Sequence, residues 1–283
     1  MRTTAGSGER VTAVSPARLP GTTRTGLSRA RLELRVFFRE MDAVIFTFAM
    51  PVMLLVIFGA IFNGSVANTG VSYRQYFIAG IIASGVMSTT FNTLGATVAI
   101  ERDDGTLKRL AGTPMPPAAY FVGKILFALV LSVLETVIML AIGVGLYGLR
   151  LPADPGRWVT LAWVFLLSAG TCTLLGIAVS SIPRSARSAA GVVSLPYLAL
   201  QFISGVYFPF TSLPRVIQQI AALFPLKWMC QGLRSVFLPD ALLPAEPAHS
   251  WEHPMTALIL AAWGVAGLLL CLKTFRWTSR LGG

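Results

Sequence analysis

Residues 101–117, ERDDGTLKRLAGTPMPP, set four ionisable side chains in a row, Glu101, Arg102, Asp103 and Asp104, and follow them with a short amphipathic turn. The chemistry such a stretch offers is recognition rather than catalysis. Leu107 and Leu110 form a small apolar ridge for a partner to bury, and the flanking charges, Lys108 and Arg109 among them, would fix its register. Gly105 permits a turn that other residues resist, Thr106 can cap the helix that follows, and Pro114 helps to end it. The stretch is too polar to cross a bilayer, so it must stand outside the hydrocarbon as a docking element.

Glu135 is the only acid deep in an apolar run. Ionised and facing lipid it would cost several kcal/mol, so it must face the interior, be protonated or be paired. Proton relay and cation binding are open to it, but without an intramembrane basic partner a hydrogen bond between helices is the favoured reading. His249 and His253 have the spacing of a helical metal pair, with Glu252 between them. They sit in a Pro-rich loop without a third ligand, and no metal site is expected. Cys172, Cys230 and Cys271 show neither ligand spacing nor a disulfide framework. No GxxxxGKS/T, HExxH or GxSxG motif occurs and no carboxylates pair within the apolar runs, so the expectation is a chain with no catalytic residues, driven by a partner rather than self-powered.

These residues belong to a chain of 283, of which 54% are hydrophobic and 12% charged, with a mean hydropathy of +0.69. That is the composition of an integral membrane protein. The net charge of +11 would suit nucleic acid only if the basic residues shared a soluble face. They lie between apolar runs instead, and no nucleic-acid partner is expected. Apolar runs of about 20 residues predict six crossings. They fall near 43–62, 76–100, 122–146, 158–182, 188–208 and 255–272. An even number puts both termini on one side. Of the 23 Lys and Arg, 17 then share that side, against Arg74, Arg150, Arg157, Arg215, Lys227 and Arg234 opposite. The positive-inside rule therefore makes the termini and residues 101–117 cytoplasmic.

Residues 1–26 lack apolar periodicity and are expected to form a disordered cytoplasmic tail, leaving 27–283 as one transmembrane domain. Residues 27–42 predict an interfacial helix with Leu27, Ala30, Leu34, Phe38 and Met41 on one face. Arg31, Arg35 and Arg39 run beside that face, toward the anionic headgroups of membrane lipid. Gly80, Ser84, Ser88, Asn92 and Ala96 recur every four residues in the second crossing, and Ser168, Cys172, Gly176 and Ser180 do so in the fourth. Small residues at that spacing let helices approach closely. In the second crossing the added Thr89, Thr90 and Thr93 leave a pathway lining equally open. Pro51 and Pro196 predict a kink or altered hydrogen bonding in the first and fifth crossings. The external segment 209–254 carries two amphipathic stretches too short to span, read as re-entrant or interfacial helices.

The stretch ERDDGTLKRLAGTPMPPAAYFVGK resembles the cytoplasmic signature of ABC-2 type permeases, roughly E-R-E-x-G-T-x-x-x-L-x-x-x-P. Glu101, Arg102, Gly105, Thr106, Leu110 and Pro114 match it directly, Asp103 replaces a longer carboxylate, and Lys108 stands where many members have an acid. A second block, SGVYFPFTSLPRVIQQIAALFPLKWMCQGLRSVF, is similar to the family's outer loop. The GTLKRL form resembles the daunorubicin and antibiotic-resistance branch. The resemblance implies an all-α fold of six transmembrane helices with the interfacial helix, a coupling helix at 101–117 and short external re-entrant helices. It implies pairing with a second permease chain, as homo- or heterodimer, and with two ATP-binding subunits, so that ATP and Mg belong to the partner and no cofactor to this chain. The setting implied is a bacterial plasma membrane, and the cargo a hydrophobic or amphiphilic small molecule passing Ser84, Ser88, Asn92, Gln201 and Ser204. The alternatives are an ABC-2 exporter of glycolipid or polysaccharide and a proton-coupled secondary carrier centred on Glu135.

Overall fold

The computed structural model describes residues 21–62, 64–66 and 69–274, so most of the expected tail, residues 1–20, lies outside the described residues. What is described is an all-helical membrane protein, with one isolated antiparallel bridge between Ser65 and Ser72. In chain order the helices are α1 (Thr22–Arg39), α2 (Met41–Ile61), α3 (Tyr73–Met87), α4 (Leu94–Asp103), α5 (Thr106–Ala111) and α6 (Pro117–Tyr147). They continue with α7 (Pro155–Val179), α8 (Ala186–Ile203), α9 (Arg215–Ala222), α10 (Pro225–Phe237) and α11 (His253–Thr274). A π-helical segment, Ser88–Thr93, joins α3 to α4.

Among the described residues five helical stretches are long and apolar enough to cross a membrane: α2, the α3 to α4 run Tyr73–Asp103, α6, α7 and α11. The remaining expected crossing, 188–208, appears as α8, which has 18 residues with Pro196 inside. At about 1.5 Å per residue it is roughly 27 Å long. It links the same two ends of the bundle as the others. At one end the Ala186 N–H donates to Asp103 at 2.7 Å, and just past the other the Gly205 carbonyl accepts from Arg234, whose guanidinium lies over the Tyr76 ring.

The α3 to α4 run is the centre of the bundle, 83% buried in its most apolar window, whereas α2 at the edge is 11% buried. The central position follows from its small residues. A Cβ on Gly80 would meet the Val206 carbonyl at 2.9 Å, and one on Gly95 the Gly176 carbonyl at 3.0 Å. Gly176 in turn presses on the Phe91 carbonyl, where a Cβ would sit at 2.7 Å. The fourth crossing's stripe thus packs through Gly176 on the second crossing beside Thr90, Phe91 and Gly95, while the second crossing's own stripe turns at Gly80 toward Val206, as close backbone approach requires.

Helix α1 begins at Thr22, five residues ahead of the expected Leu27, and packs along α6. Its ridge against the protein is Gly26, Ala30 and Phe37, while Leu27, Phe38 and Met41 of the expected apolar face are exposed on the helix's other side. Close approach decides the face. A Cβ on Gly26 would lie 2.6 Å from Val122, and one on Gly123 the same distance from Arg29, so the two glycines fix the crossing and turn the bulky apolar residues outward. Arg31, Arg35 and Arg39 are exposed.

Candidate functional site

The turn between α4 and α6 is built by Asp104 and Gly105. Asp104 Oδ1 accepts from the Thr106 N–H at 2.8 Å, taking the capping role expected of Thr106, whose hydroxyl accepts from Arg109 at 3.2 Å instead. Slight burial opposes ionisation of Asp104, but the Thr106 hydrogen bonds and the nearby Arg109 charge hold its carboxyl below the usual range. Gly105 has φ +78°, the left-handed conformation that a side chain resists.

The three charges ahead of the turn point into the chain. Glu101 Oε2 accepts from the Tyr120 hydroxyl at 2.7 Å, and Oε1 lies 2.8 Å from the Lys124 ammonium and 3.5 Å from Arg29. Lys124 also reaches Glu33 at 3.1 Å, and Glu33 pairs with Arg29 at 2.8 Å. Two acids and two bases from α1, α4 and α6 therefore neutralise one another in a nearly buried network. Arg102 donates to the Ser180 carbonyl at 2.6 Å and to its hydroxyl at 3.2 Å, closing the C-terminus of α7. Asp103, through the Ala186 N–H, closes the N-terminus of α8.

Leu107 does not form the expected partner-facing ridge. The Gly105 turn folds α5 back so that Leu107 is fully buried against Leu94, Val98, Tyr120 and Ile177, with Leu110 half-buried beside it. The exposed edge is Lys108, Arg109, Ala111, Gly112, Thr113 and Pro114, a basic and polar surface on a rigid mount.

The polar residues of the second crossing divide between two neighbours. Toward α8, Ser84 is 3.1 Å from the Tyr197 hydroxyl and accepts from Gln201, whose Oε1 accepts from Tyr207 at 2.6 Å. Further along, Asn92 Oδ1 accepts from Ser194 at 2.8 Å. Toward α6, Thr89 donates to Glu135 Oε2 at 2.7 Å across a contact where a Cβ on Gly85 would overlap the Glu135 carboxyl. Ser84 and Gln201 are buried, Ser88 and Asn92 are half-exposed, and the buried Ser204 hydroxyl has no hydrogen-bond partner among the described residues. Ser88, Thr89 and Asn92 sit on the π-helical segment, a distortion that often accompanies function.

At the opposite end from residues 101–117, α10 is buried along its whole length between α3, α7 and α11. Arg234 and Glu246 pair there at 3.2 Å with side chains 1% and 2% exposed. Lys227 lies 3.3 Å from the centre of the Trp228 ring and 3.7 Å from Glu252. Burial pushes the Lys227 ammonium down to about 8 despite the opposing pull of Glu252 and Glu246. His253 bonds Ser235 at 2.8 Å, and His249 lies before α11 with φ 49°, so the two histidines do not share the helical face their spacing suggested.

Sequence reasoning singled out neither Arg29 and Glu33 nor Tyr120, Tyr197 and Tyr207. The four-residue spacing of Arg29 and Glu33, three residues after Gly26, was the available signal for the first two.

Residues 29–238 match the family described as ABC-2 type transporter. The chain is 23% identical to the putative transport permease YvfS of Bacillus subtilis over 193 residues, 68% of this chain and 77% of that protein. It is 23% identical to the inner membrane transport permease YadH of Escherichia coli over 209 residues, 71% of this chain and 78% of that one. It is 26% identical to the probable multidrug ABC transporter permease YbhR of Escherichia coli over 198 residues, 69% of this chain and 51% of YbhR, so it spans about half the length of that relative.

Proposed function

The chain belongs to the ABC-2 type transporter family, and from that premise we propose that it is the permease subunit of an ATP-driven exporter carrying a hydrophobic or amphiphilic small molecule out across the plasma membrane. It works with a second permease chain and two ATP-binding subunits, which hold the ATP and Mg, and its termini and residues 101–117 face the cytoplasm. The name of one relative, a probable multidrug permease, agrees with that cargo class, and the names of the others say only that they are transport permeases.

The observation that carries the reading is the mounting of the α5 turn. Glu101 ties it to α1 and α6, Arg102 to α7 and Asp103 to α8. A push on the exposed Lys108 to Pro114 edge is therefore delivered to four helices at once, which is what a contact with an ATPase must do to move a transport pathway. The α3 to α4 run that ends in this turn is also the one that carries Ser84, Ser88 and Asn92. Reconstitution with a partner ATPase of the ABC type tests the proposal. Gly105→Pro is expected to abolish substrate-stimulated ATP turnover and export, and unchanged turnover would overturn the coupling role.

A further inference from the structure

Arg234 is a buried cation with three different partners from three parts of the chain. Its Nη2 donates to the Gly205 carbonyl at 2.6 Å, its Nη1 meets Glu246 at 3.2 Å, and its guanidinium carbon lies 4.1 Å from the centre of the Tyr76 ring. Tyr76 is near the start of α3, and Gly205 follows the end of α8. These are the two helices that carry Ser84 and Gln201 and lead to Ser204, and their ends are bridged by a side chain of α10, which packs on α3. The geometry is specific to the arginine. Gly205 holds φ +78°, and a Cβ there would sit 2.9 Å from the Arg234 terminal nitrogen. The Tyr76 hydroxyl is occupied in turn by the Phe210 N–H at 3.1 Å, which draws in the loop after α8.

A buried ion pair kept only for stability is expected to satisfy every polar atom, since each orphan costs free energy. This one does not. Arg234 Nε and Glu246 Oε2 are both buried with no hydrogen-bond partner among the described residues, and so is the hydroxyl of Ser204, the residue preceding Gly205. The arrangement leaves bonding capacity unused at the point where the two pathway helices converge.

We propose that Arg234 is a latch: in the packed state it pins the outer ends of α3 and α8 together under α10, and its release opens the outer end of the route past Ser204. The assignment rests on the reading of the α3 and α8 polar face as the pathway. The Glu246 carboxylate sets the strength of the latch by holding the guanidinium in place, and the Gly205 carbonyl and Tyr76 ring are the surfaces it lets go.

The test reads opening directly, in the absence of ATP, so its failure is separate from failure of coupling to an ATPase. Ser204→Cys is placed in the full-length chain in membrane vesicles and labelled from outside with an impermeant maleimide. The chain without that substitution, whose Cys172, Cys230 and Cys271 are buried, supplies the background. Adding Glu246→Gln is expected to speed labelling about tenfold, the change in open population that losing roughly 1.4 kcal/mol of closure produces. Arg234→Met is expected to speed it further, and Arg234→Lys, which keeps the charge without the fork or the stacking, to fall between. Unchanged labelling in Glu246→Gln and Arg234→Met chains that keep the wild-type melting temperature would overturn the latch. Loss of folded protein in both variants would also overturn it, because the pair would then be a structural support and nothing more.

Discussion

Lys124 and Glu101 meet at 2.8 Å, the ammonium from the start of α6 and the carboxylate from the last turn of α4. The lysine is almost wholly buried, and its other acidic partner among the described residues is Glu33 of α1 at 3.1 Å. The α1 helix is therefore held by charge as well as by the Gly26 and Gly123 contact, and it cannot shift along α6 without disturbing the turn at Gly105.

Removing the lysine leaves two carboxylates facing each other with Arg29 alone between them. Lys124→Met is expected to lower stability by about 3 kcal/mol, the usual scale for breaking one side of a buried pair. Thermal unfolding of the purified chain in detergent measures it. Lys124→Met combined with Glu101→Gln should recover part of the loss, and a double variant no better than the single one would show that the charges are not the cause.

The glycines of that contact separate packing from propensity. Gly123→Val drives a branched side chain into Arg29, where even a Cβ comes within 2.6 Å, and should cost about 1–3 kcal/mol. Gly145, in the same helix, has nothing within 4 Å of its Cβ position. There Gly145→Ala should be neutral or stabilising by up to about 1 kcal/mol. The melting temperature should fall for Gly123→Val and hold or rise for Gly145→Ala.

Long apolar runs made the crossings legible in the sequence, because a bilayer imposes length and hydropathy and little else. The four-residue stripes marked correctly which faces come close, since only small residues permit it. What periodicity could not supply was which neighbour each face meets. Leu107 reads as an exposed ridge because its own turn is polar, and only the Gly105 reversal shows that it folds back onto Tyr120 and Ile177. Glu101 and Arg102 read as partner contacts for the same reason, while their partners lie 19 or more residues away in sequence. Arg234 enters the sequence reading through orientation and through the second family-like block, and nothing local to its sequence announces Glu246, Gly205 or Tyr76.

Gly105 is the position where backbone conformation and proposed coupling can be told apart. Gly105→Ala places a side chain at φ +78° and should cost about 1–2 kcal/mol. Gly105→Asn should cost less, because asparagine tolerates that region. If the turn transmits motion, substrate-stimulated ATP turnover should follow the same order, with asparagine nearer the native rate than alanine. Equal rates for the two variants would confine the glycine to stability.

Burial of Lys227 predicts a pH dependence with a defined sign. Its pKa falls from 10.5 to about 8 on folding, so between those values the unfolded chain binds a proton that the folded one does not. Stability should therefore rise with pH through this window, by at most roughly 1.4 kcal/mol per unit. Buried Cys230 works the other way, its thiol pushed up from 9.0 to about 11, so stability is lost as pH rises between those values. The comparison that isolates the lysine is wild type against Lys227→Met in thermal unfolding across mildly alkaline pH. The variant should gain most at neutral pH and lose its advantage as pH rises. A constant difference between the two chains would show that the lysine does not titrate in this range.

The Thr89 hydrogen bond to Glu135 at 2.7 Å fixes what the intramembrane acid does in the packed state: it holds the π-helical segment of the second crossing against α6. Glu135→Gln keeps the shape and an acceptor oxygen, so stability should change by less than about 1 kcal/mol. Thr89→Val removes the donor that, among the described residues, reaches the carboxyl and should cost about 1–3 kcal/mol by leaving a buried polar group without a partner. Adding Thr89→Val to Glu135→Leu should cost much less than it does alone, because the group it would orphan is already gone. Unfolding of the two single variants and the double variant gives the coupling energy. A value near zero would mean that the hydroxyl and the carboxyl stabilise the contact independently, and that Glu135 is held by packing against Gly85 alone.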